Sequence, residues 1–251
     1  MKKIALLILV LSSITTQSFR NDVTKRKKLV VVWQPSHQTD TGKDFSEAAT
    51  CNAIVEAAMG LQIDHEKIKL KEFKVWSLGR NDLHHSDSGS NTVIAHTSAI
   101  INGKKSGYAW ELERSNKRKP DVFISVHNNG GTKRNAVWGY IHYGDKYEKE
   151  NRDLAARLIK AIASVTTLEN RGVLLDSTTG RNNYRCAVTG KLGFYSLDEN
   201  VNNAPYRVLL EVGDNAASRE ILLDPIQRKK MGEALKKELM AWANERKDKN
   251  Q

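Results

Sequence analysis

The chain has 251 residues, of which 39% are hydrophobic, and carries a formal net charge of +11. This length and hydrophobic content allow a sizeable core and exclude wholesale disorder. With four prolines and no long Gly/Ser tract, the sequence favours one domain over two domains on a flexible linker. The positive surplus suits a polyanionic partner, but the basic clusters lack the interleaved aromatic residues of nucleic-acid motifs, so we expect no nucleic acid.

The N-terminus has the layout of a secretory signal peptide. Lys2 and Lys3 precede the apolar run Ile4–Leu11, and small and polar residues follow up to Ser18. The apolar run is much shorter than the ~20 residues needed to cross a bilayer. We therefore expect residues 1–18 to be a signal peptide, residues 19–28 a basic linker, and the mature chain to be periplasmic or extracellular without a membrane span.

From residue 29 to residue 247 the sequence predicts strands that alternate with helices. The predicted strands are Leu29–Trp33, Phe73–Trp76, Asp121–Val126, Ala136–Tyr143, Phe194–Leu197 and Arg207–Val212. The predicted helices are Asp44–Met59, Trp110–Lys117, one with the stripe Leu154, Leu158, Ile162 and Val165, and one that starts at Asp224-Pro225 and lines up Met231, Leu235, Leu239 and Trp242. This order predicts an α/β fold, a single three-layer α/β/α domain with a mostly parallel twisted sheet.

A polar insertion spans residues 79–107 and contains His84, His85 and His96. These histidines are interpreted as exposed polar residues of a surface segment and are left out of the predicted site. Outside the insertion, two cysteines, Cys51 and Cys186, are compatible with a disulfide in an oxidising compartment and equally with two buried free thiols.

Three polar residues lie where predicted strands end. His37 follows the first strand, His127 ends a central strand, and Glu211 lies near the end of the last one. In open parallel sheets the active groups gather at the carboxyl ends of the strands. Each residue also has a plainer interpretation: a histidine can simply cap a strand, and Glu211 can pair with a basic residue.

Glu47 opens the first predicted helix and completes a candidate metal site. It is equally consistent with a capping box in which Asp44 is the N-cap and Glu47 reaches back. Two imidazoles and one carboxylate, from His37, His127 and Glu47, form the ligand set of a catalytic zinc site with a position left open. Glu211 lies in an apolar strand, where a charge is costly unless it is paired or functional, and is therefore the candidate catalytic residue.

The sequence resembles the zinc-dependent N-acetylmuramoyl-L-alanine amidases of the amidase 3 family. The resemblance spans residues 29–245 and is strongest from Ser115-Asn116 to Asn128; it includes Pro35-Ser36-His37, Glu47, Arg171-Gly172-Val173 and the block from Pro205 to Glu211. It implies one Zn²⁺ ion bound by His37, Glu47 and His127, a catalytic Glu211, and hydrolysis of the amide between N-acetylmuramic acid and L-alanine in peptidoglycan.

The chain departs from the family pattern at two places. Ser36 and Gln38 flank His37 where the family has glycines, and Gly213-Asp214-Asn215-Ala216 replaces an aromatic residue and a Ser-Asn pair. Two alternatives therefore stay open at this point: a zinc carboxypeptidase-like peptidase, and a catalytically silent wall-binding protein. The sequence also leaves open whether a protein activator is needed.

Overall fold

The computed structural model describes residues 29–36, 38, 41–60, 73–77, 100–101, 104–105, 107–180 and 184–249. The predicted signal peptide, the basic linker, His37 and most of the 79–107 insertion, with all three of its histidines, lie outside these residues. What was expected of them therefore stays a prediction.

Six of the eight described strands form one twisted sheet. The strands are β1 (Leu29–Pro35), β2 (Phe73–Ser77), β3 (Ile100–Ile101), β4 (Lys104–Lys105), β5 (Val122–Asn129), β6 (Ala136–Ile141), β7 (Glu169–Leu175) and β8 (Tyr206–Asp214). The large sheet has the order β2-β1-β5-β8-β6-β7, and β3 and β4 pair separately. Every pairing in the large sheet is parallel except that of β6 with β8.

The described helices connect and cover these strands. They are α1 (Glu47–Met59), α2 (Gly107–Lys117), α3 (Glu148–Val165), α4 (Arg219–Leu223) and α5 (Pro225–Lys249), with short 3-10 helices at Asp176–Thr178 and Tyr195–Leu197. The start of α5 at Pro225 confirms the predicted helix start, because a proline at the first helical position loses no hydrogen bond. None of the described helices combines the length and apolarity needed to cross a membrane.

The strict alternation of side chains along β5 divides the core into two layers. Val122, Ile124 and Val126 pack into the larger cluster, which also contains buried residues of α1, α3 and α5. On the opposite face of the sheet, Phe123 packs with Leu112 of α2, and a further small cluster forms around the second 3-10 helix. The predicted single three-layer α/β/α domain is confirmed.

Two predictions about strands were wrong or incomplete. The segment Phe194–Leu197 is not a strand; it contains the 3-10 helix Tyr195–Leu197, and its apolar side chains pack over Leu209. A short apolar run does not distinguish between these conformations. Strand β7 was missed because it lies at the edge of the sheet and its first half is exposed, so it shows little hydrophobic pattern.

Candidate active site

His127 and Glu211 face each other on neighbouring strands. They are direct partners in the parallel register of β5 and β8, near the carboxyl ends of both strands. Their side chains are buried, with 7% and 3% of the residue surface exposed. The register of the two strands therefore brings these two residues side by side.

Glu47 is the first residue of α1, but it does not cap the helix. Ser46 is the N-cap, and its side chain accepts a hydrogen bond from the backbone N–H of Ala49 at 3.2 Å. The N–H of Glu47 donates to Oγ1 of Thr41 at 2.9 Å. The capping box with Asp44 as N-cap was wrong, because Asp44 lies before the cap with a positive φ of 55°. The first turn is satisfied by hydroxyl groups, which leaves the Glu47 carboxylate available for another contact.

That contact is with His127. Nδ1 of His127 lies 3.1 Å from Oε1 of Glu47, and only 2% of the Glu47 surface is exposed. In a metal-free site this distance is a hydrogen bond. Two ligand atoms bound to one zinc ion at about 2.0–2.1 Å with a tetrahedral angle lie about 3.3 Å apart, so the same arrangement suits two ligands of one ion.

The residues on either side of position 37 contact the immediate neighbours of these two groups. The N–H of Ser36 donates to the carbonyl of Val126 at 2.8 Å, and the carbonyl of Gln38 accepts from the N–H of Ala48 at 2.8 Å. Val126 precedes His127 and Ala48 follows Glu47. The chain that flanks position 37 is therefore anchored to both elements that carry the predicted site.

Cys51 lies in the same region, and both acidic residues affect the pKa of its thiol. Burial raises the pKa of its thiol well above the usual value, and the negative charges of Glu47 and Glu211 raise it further, against a hydrogen bond from the Ser36 backbone. The thiol is consequently neutral and unreactive. Cys51 and Cys186 are both free, so the structure contains no disulfide between them.

Asn128 is a positioning residue that was not among the predicted site residues. Its amide Nδ2 donates to the carbonyl of Val212 at 2.6 Å, and its Oδ1 accepts from the hydroxyl of Thr50 at 2.6 Å. Cys51 also donates to this oxygen, at 3.5 Å. One buried side chain thus ties β5 to β8 and to the first turns of α1, and it fixes Glu47 relative to His127.

Asp214 is the last residue of β8, three positions after Glu211. Its carboxylate accepts from the backbone and hydroxyl of Thr132 at 2.8 and 2.7 Å, and from the N–H groups of Ala216 and Ala217, both at 3.0 Å. Burial raises the pKa of Asp214, but these hydrogen bonds outweigh it and hold the pKa below the ordinary value. The departure from the family pattern at this position therefore builds an ordered turn.

The comparisons with known proteins agree with this architecture. Residues 35–240 match the family described as N-acetylmuramoyl-L-alanine amidase. Among solved structures, the apo form of the N-acetylmuramyl-L-alanine amidase Ami1 from Mycobacterium abscessus is 12% identical with a TM-score of 0.57, covering 86% of this chain and 98% of its own. The catalytic domain of the amidase CwlV from Bacillus (Paenibacillus) polymyxa var. colistinus is 16% identical with a TM-score of 0.54, and the coverage is likewise 86% and 98%.

A third structure is Cwp6 from Clostridium difficile, which is 21% identical with a TM-score of 0.53 and covers 85% of this chain and 29% of its own. A search of curated proteins found no match. At these identities the structural likeness shows the fold, and the family match defines the class of protein. The chain belongs to the N-acetylmuramoyl-L-alanine amidase family, and it hydrolyses the amide that joins the peptide to the sugar in peptidoglycan.

Proposed function

We propose that this amidase is zinc-dependent, with His37, Glu47 and His127 as the metal ligands and Glu211 as the general base. The observation that carries the proposal is the buried contact of 3.1 Å between Nδ1 of His127 and Oε1 of Glu47, with Glu211 opposite His127 in the sheet register. The anchoring of Ser36 and Gln38 beside these residues supports His37 as the third ligand.

The residues present fit a zinc ion by their chemistry. Neutral imidazoles and a carboxylate are the donors of catalytic zinc sites, which keep one position open. A carboxylate buried to 2% exposure is costly unless it is paired with a positive charge. Bound there, the ion would supply a Lewis acid that polarises the scissile carbonyl and lowers the pKa of a bound water to about 7.

The remaining roles, proton transfer and positioning, belong to residues of the chain. Glu211 accepts a proton from the attacking water and passes it to the departing nitrogen of L-alanine, which lets one carboxylate serve as base and then as acid. Glu47 and His127 fix each other at the edge of the sheet, and Asn128 holds the helix that carries Glu47. The negative charge of Glu47 favours a bound cation.

A Glu211→Gln variant tests the assignment of the base. Glutamine has the same shape but cannot accept the proton, so the rate of peptidoglycan hydrolysis should fall by about 10²–10⁴-fold. The zinc content, measured by mass spectrometry of the metal, should stay at the wild-type level. A variant that keeps the wild-type rate removes Glu211 from this role.

Ligand substitution tests the metal site separately. His127→Ala and His37→Ala should each lose both activity and one equivalent of zinc, whereas His85→Ala, in the polar insertion, is the control and should retain both. Retention of a full complement of zinc in the His37→Ala, His127→Ala double variant would exclude the proposed ligand set.

We also propose that the enzyme is exported, with cleavage near Ser18. The charge and apolarity of residues 2–11 support a signal peptide, and peptidoglycan lies outside the cytoplasm. The intact mass of the protein recovered from an extracytoplasmic fraction should correspond to a chain that starts close to residue 19. A full-length mass in that fraction would contradict cleavage.

A further inference from the structure

A second cluster of side chains of the types that bind metal ions lies away from the proposed catalytic site. Trp138 of β6 is paired with Glu211, and β6 runs antiparallel to β8. His142 lies four positions further along the chain, which is about 13 Å from Trp138 at the rise of an extended strand. Because β6 and β8 run in opposite directions, His142 lies towards the end of the sheet where β8 begins. A ring nitrogen of His142, the thiol of Cys186 and a carboxylate oxygen of Asp198 lie within 4.8 Å of one another.

The imidazole of His142 is oriented for ligation. Its Nδ1 lies 2.6 Å from Oδ2 of Asp176. The other oxygen of this carboxylate, Oδ1, accepts the backbone N–H of Tyr143 at 3.1 Å, and Oδ2 also accepts that of Phe194 at 3.0 Å. Its Nε2 is buried and, within the described part of the chain, finds no hydrogen-bond partner of acceptable geometry. Histidines that bind metals commonly give their other ring nitrogen to a carboxylate in this way.

Cys186 is presented by a tight turn. The N–H of Thr189 points at its Sγ at 3.4 Å, and the N–H of Gly190 donates to its carbonyl at 2.9 Å. The turn therefore fixes the position of the sulfur. The thiol is only 1% exposed and therefore has no access to bulk solvent.

Gly193 lets the imidazole and its carboxylate approach this turn. A Cβ at this position would lie 2.7 Å from Oδ2 of Asp176 and 3.3 Å from Cε1 of His142. A side chain here would therefore push apart the pair that orients the ring. Glycine at position 193 therefore leaves room for the pair of Asp176 and His142.

The cluster concentrates negative charge in the interior. Asp176 and Asp198 are both fully buried. Oδ1 of Asp198 accepts from the backbone and the side chain of Asn200 at 2.8 and 2.7 Å, and the hydroxyl of Tyr184 donates to Oδ2. These hydrogen bonds favour the ionised carboxylate. Two buried carboxylates around one imidazole favour a positive charge at this place.

We propose that His142, Cys186 and Asp198 bind a second divalent cation of the zinc type, with Asp176 orienting His142. A mixed set of nitrogen, sulfur and oxygen donors suits zinc. Donor atoms on one zinc ion lie about 3.3–3.6 Å apart, so the three atoms, now within 4.8 Å of one another, would move together by at most about 1.2–1.5 Å. The ion would be structural, since it would join the end of β6 to the turn at Cys186 and to the segment after the 3-10 helix Tyr195–Leu197.

The alternative for these groups is a nucleophilic triad, with Cys186 as nucleophile, His142 as base and Asp176 as the orienting acid. The burial of Cys186 argues against this, because a substrate could not reach the sulfur. In addition, the triad has no role for Asp198. A carboxylate beside the sulfur is useful as a further metal ligand.

Cobalt substitution tests the site, because a cobalt–thiolate bond gives a charge-transfer band in the near ultraviolet that imidazole and carboxylate ligands do not give. The full-length protein is depleted of metal and titrated with Co²⁺. The variants Cys186→Ser and Cys51→Ser form a matched pair, since both remove a buried free thiol and Cys51 lies beside the proposed catalytic site. Total metal is counted in parallel, and folding is checked by circular dichroism.

The wild-type protein and Cys51→Ser should both show the band, with an intensity that corresponds to one equivalent of thiolate-bound cobalt. Cys186→Ser should lose the band, and the affinity of this site for Co²⁺ should fall by at least 100-fold. His127→Ala should keep the band while losing one equivalent of total metal, which separates this site from the catalytic one. Absence of the band in both the wild type and Cys51→Ser overturns the proposal even if Cys186→Ser does not fold. Loss of the band only in Cys51→Ser also overturns it, as does rapid alkylation of Cys186 in the metal-loaded protein.

Discussion

At the scale of single residues, the site depends on Asn128 as well as on the acidic and imidazole groups. Asn128→Ala would leave the hydroxyl of Thr50 and the carbonyl of Val212 without their present partner in the interior. We expect a loss of about 1–3 kcal/mol in the free energy of unfolding by urea, and a lower rate of hydrolysis, because α1 carries Glu47. The control is Asn129→Ala, at the half-buried last position of β5; equal losses in both variants would remove the special role of Asn128.

Asp214 gives the stability a defined dependence on pH. Its pKa in the folded protein is below the ordinary value, so the ionised carboxylate stabilises the fold above the unfolded pKa of about 3.9, and that stabilisation is lost as the pH falls through the folded value. Asp214→Asn should therefore be less stable than the wild type at pH 6, and the difference should shrink towards pH 3. Urea unfolding at both pH values measures this. A constant difference would contradict the explanation.

At the scale of secondary-structure elements, the close approach of α5 to α1 depends on Gly232. A Cβ at this position would lie 2.4 Å from the carbonyl oxygen of Ile54 and 2.5 Å from Cβ of Ala57. Gly232→Ala should cost about 1–3 kcal/mol through overpacking, although in an unobstructed helix the change would gain about 1 kcal/mol. Thermal and urea unfolding measure the outcome.

The neighbouring exposed residue provides the control for this substitution. Glu233→Ala changes the adjacent position of α5 on its exposed side and should alter stability by less than about 0.5 kcal/mol. A stabilised Gly232→Ala protein would show that the two helices can separate without cost.

The elements also show what the sequence could and could not predict. The starts of β1 and α5 and the buried stripe of α5 were predicted correctly, because β-branched runs, Asp224-Pro225 and apolar spacing act locally. The N-cap of α1 was not, since Ser46 and Asp44 are equally good caps in isolation. In the structure Ser46 is the cap, and Glu47 contacts His127 instead of reaching back to a cap residue. The edge strand β7 was missed because few of its side chains are buried.

At the scale of the whole molecule, strand order decides which distant residues meet. The sequence predicted that His127 and Glu211 end strands, and the family resemblance joined them to Glu47; the pairing of β5 with β8 then places His127 opposite Glu211. The cluster of His142, Cys186 and Asp198 was not predicted, because its members are scattered along the chain without a ligand spacing. They come together where the end of β6, the turn at Cys186 and the segment after the 3-10 helix Tyr195–Leu197 meet.

The central claim is that the enzyme hydrolyses the amide between N-acetylmuramic acid and L-alanine with the aid of zinc, at a site beside the carboxyl ends of β5 and β8. The most direct test is digestion of purified peptidoglycan by the mature enzyme, with and without a chelator, followed by mass spectrometry of the soluble products. Stem peptides with a free L-alanine amino terminus should appear beside uncut glycan strands, and they should vanish with the chelator and with Glu211→Gln. Cleavage between amino acids, or the same peptides released at an undiminished rate by Glu211→Gln, would contradict the account.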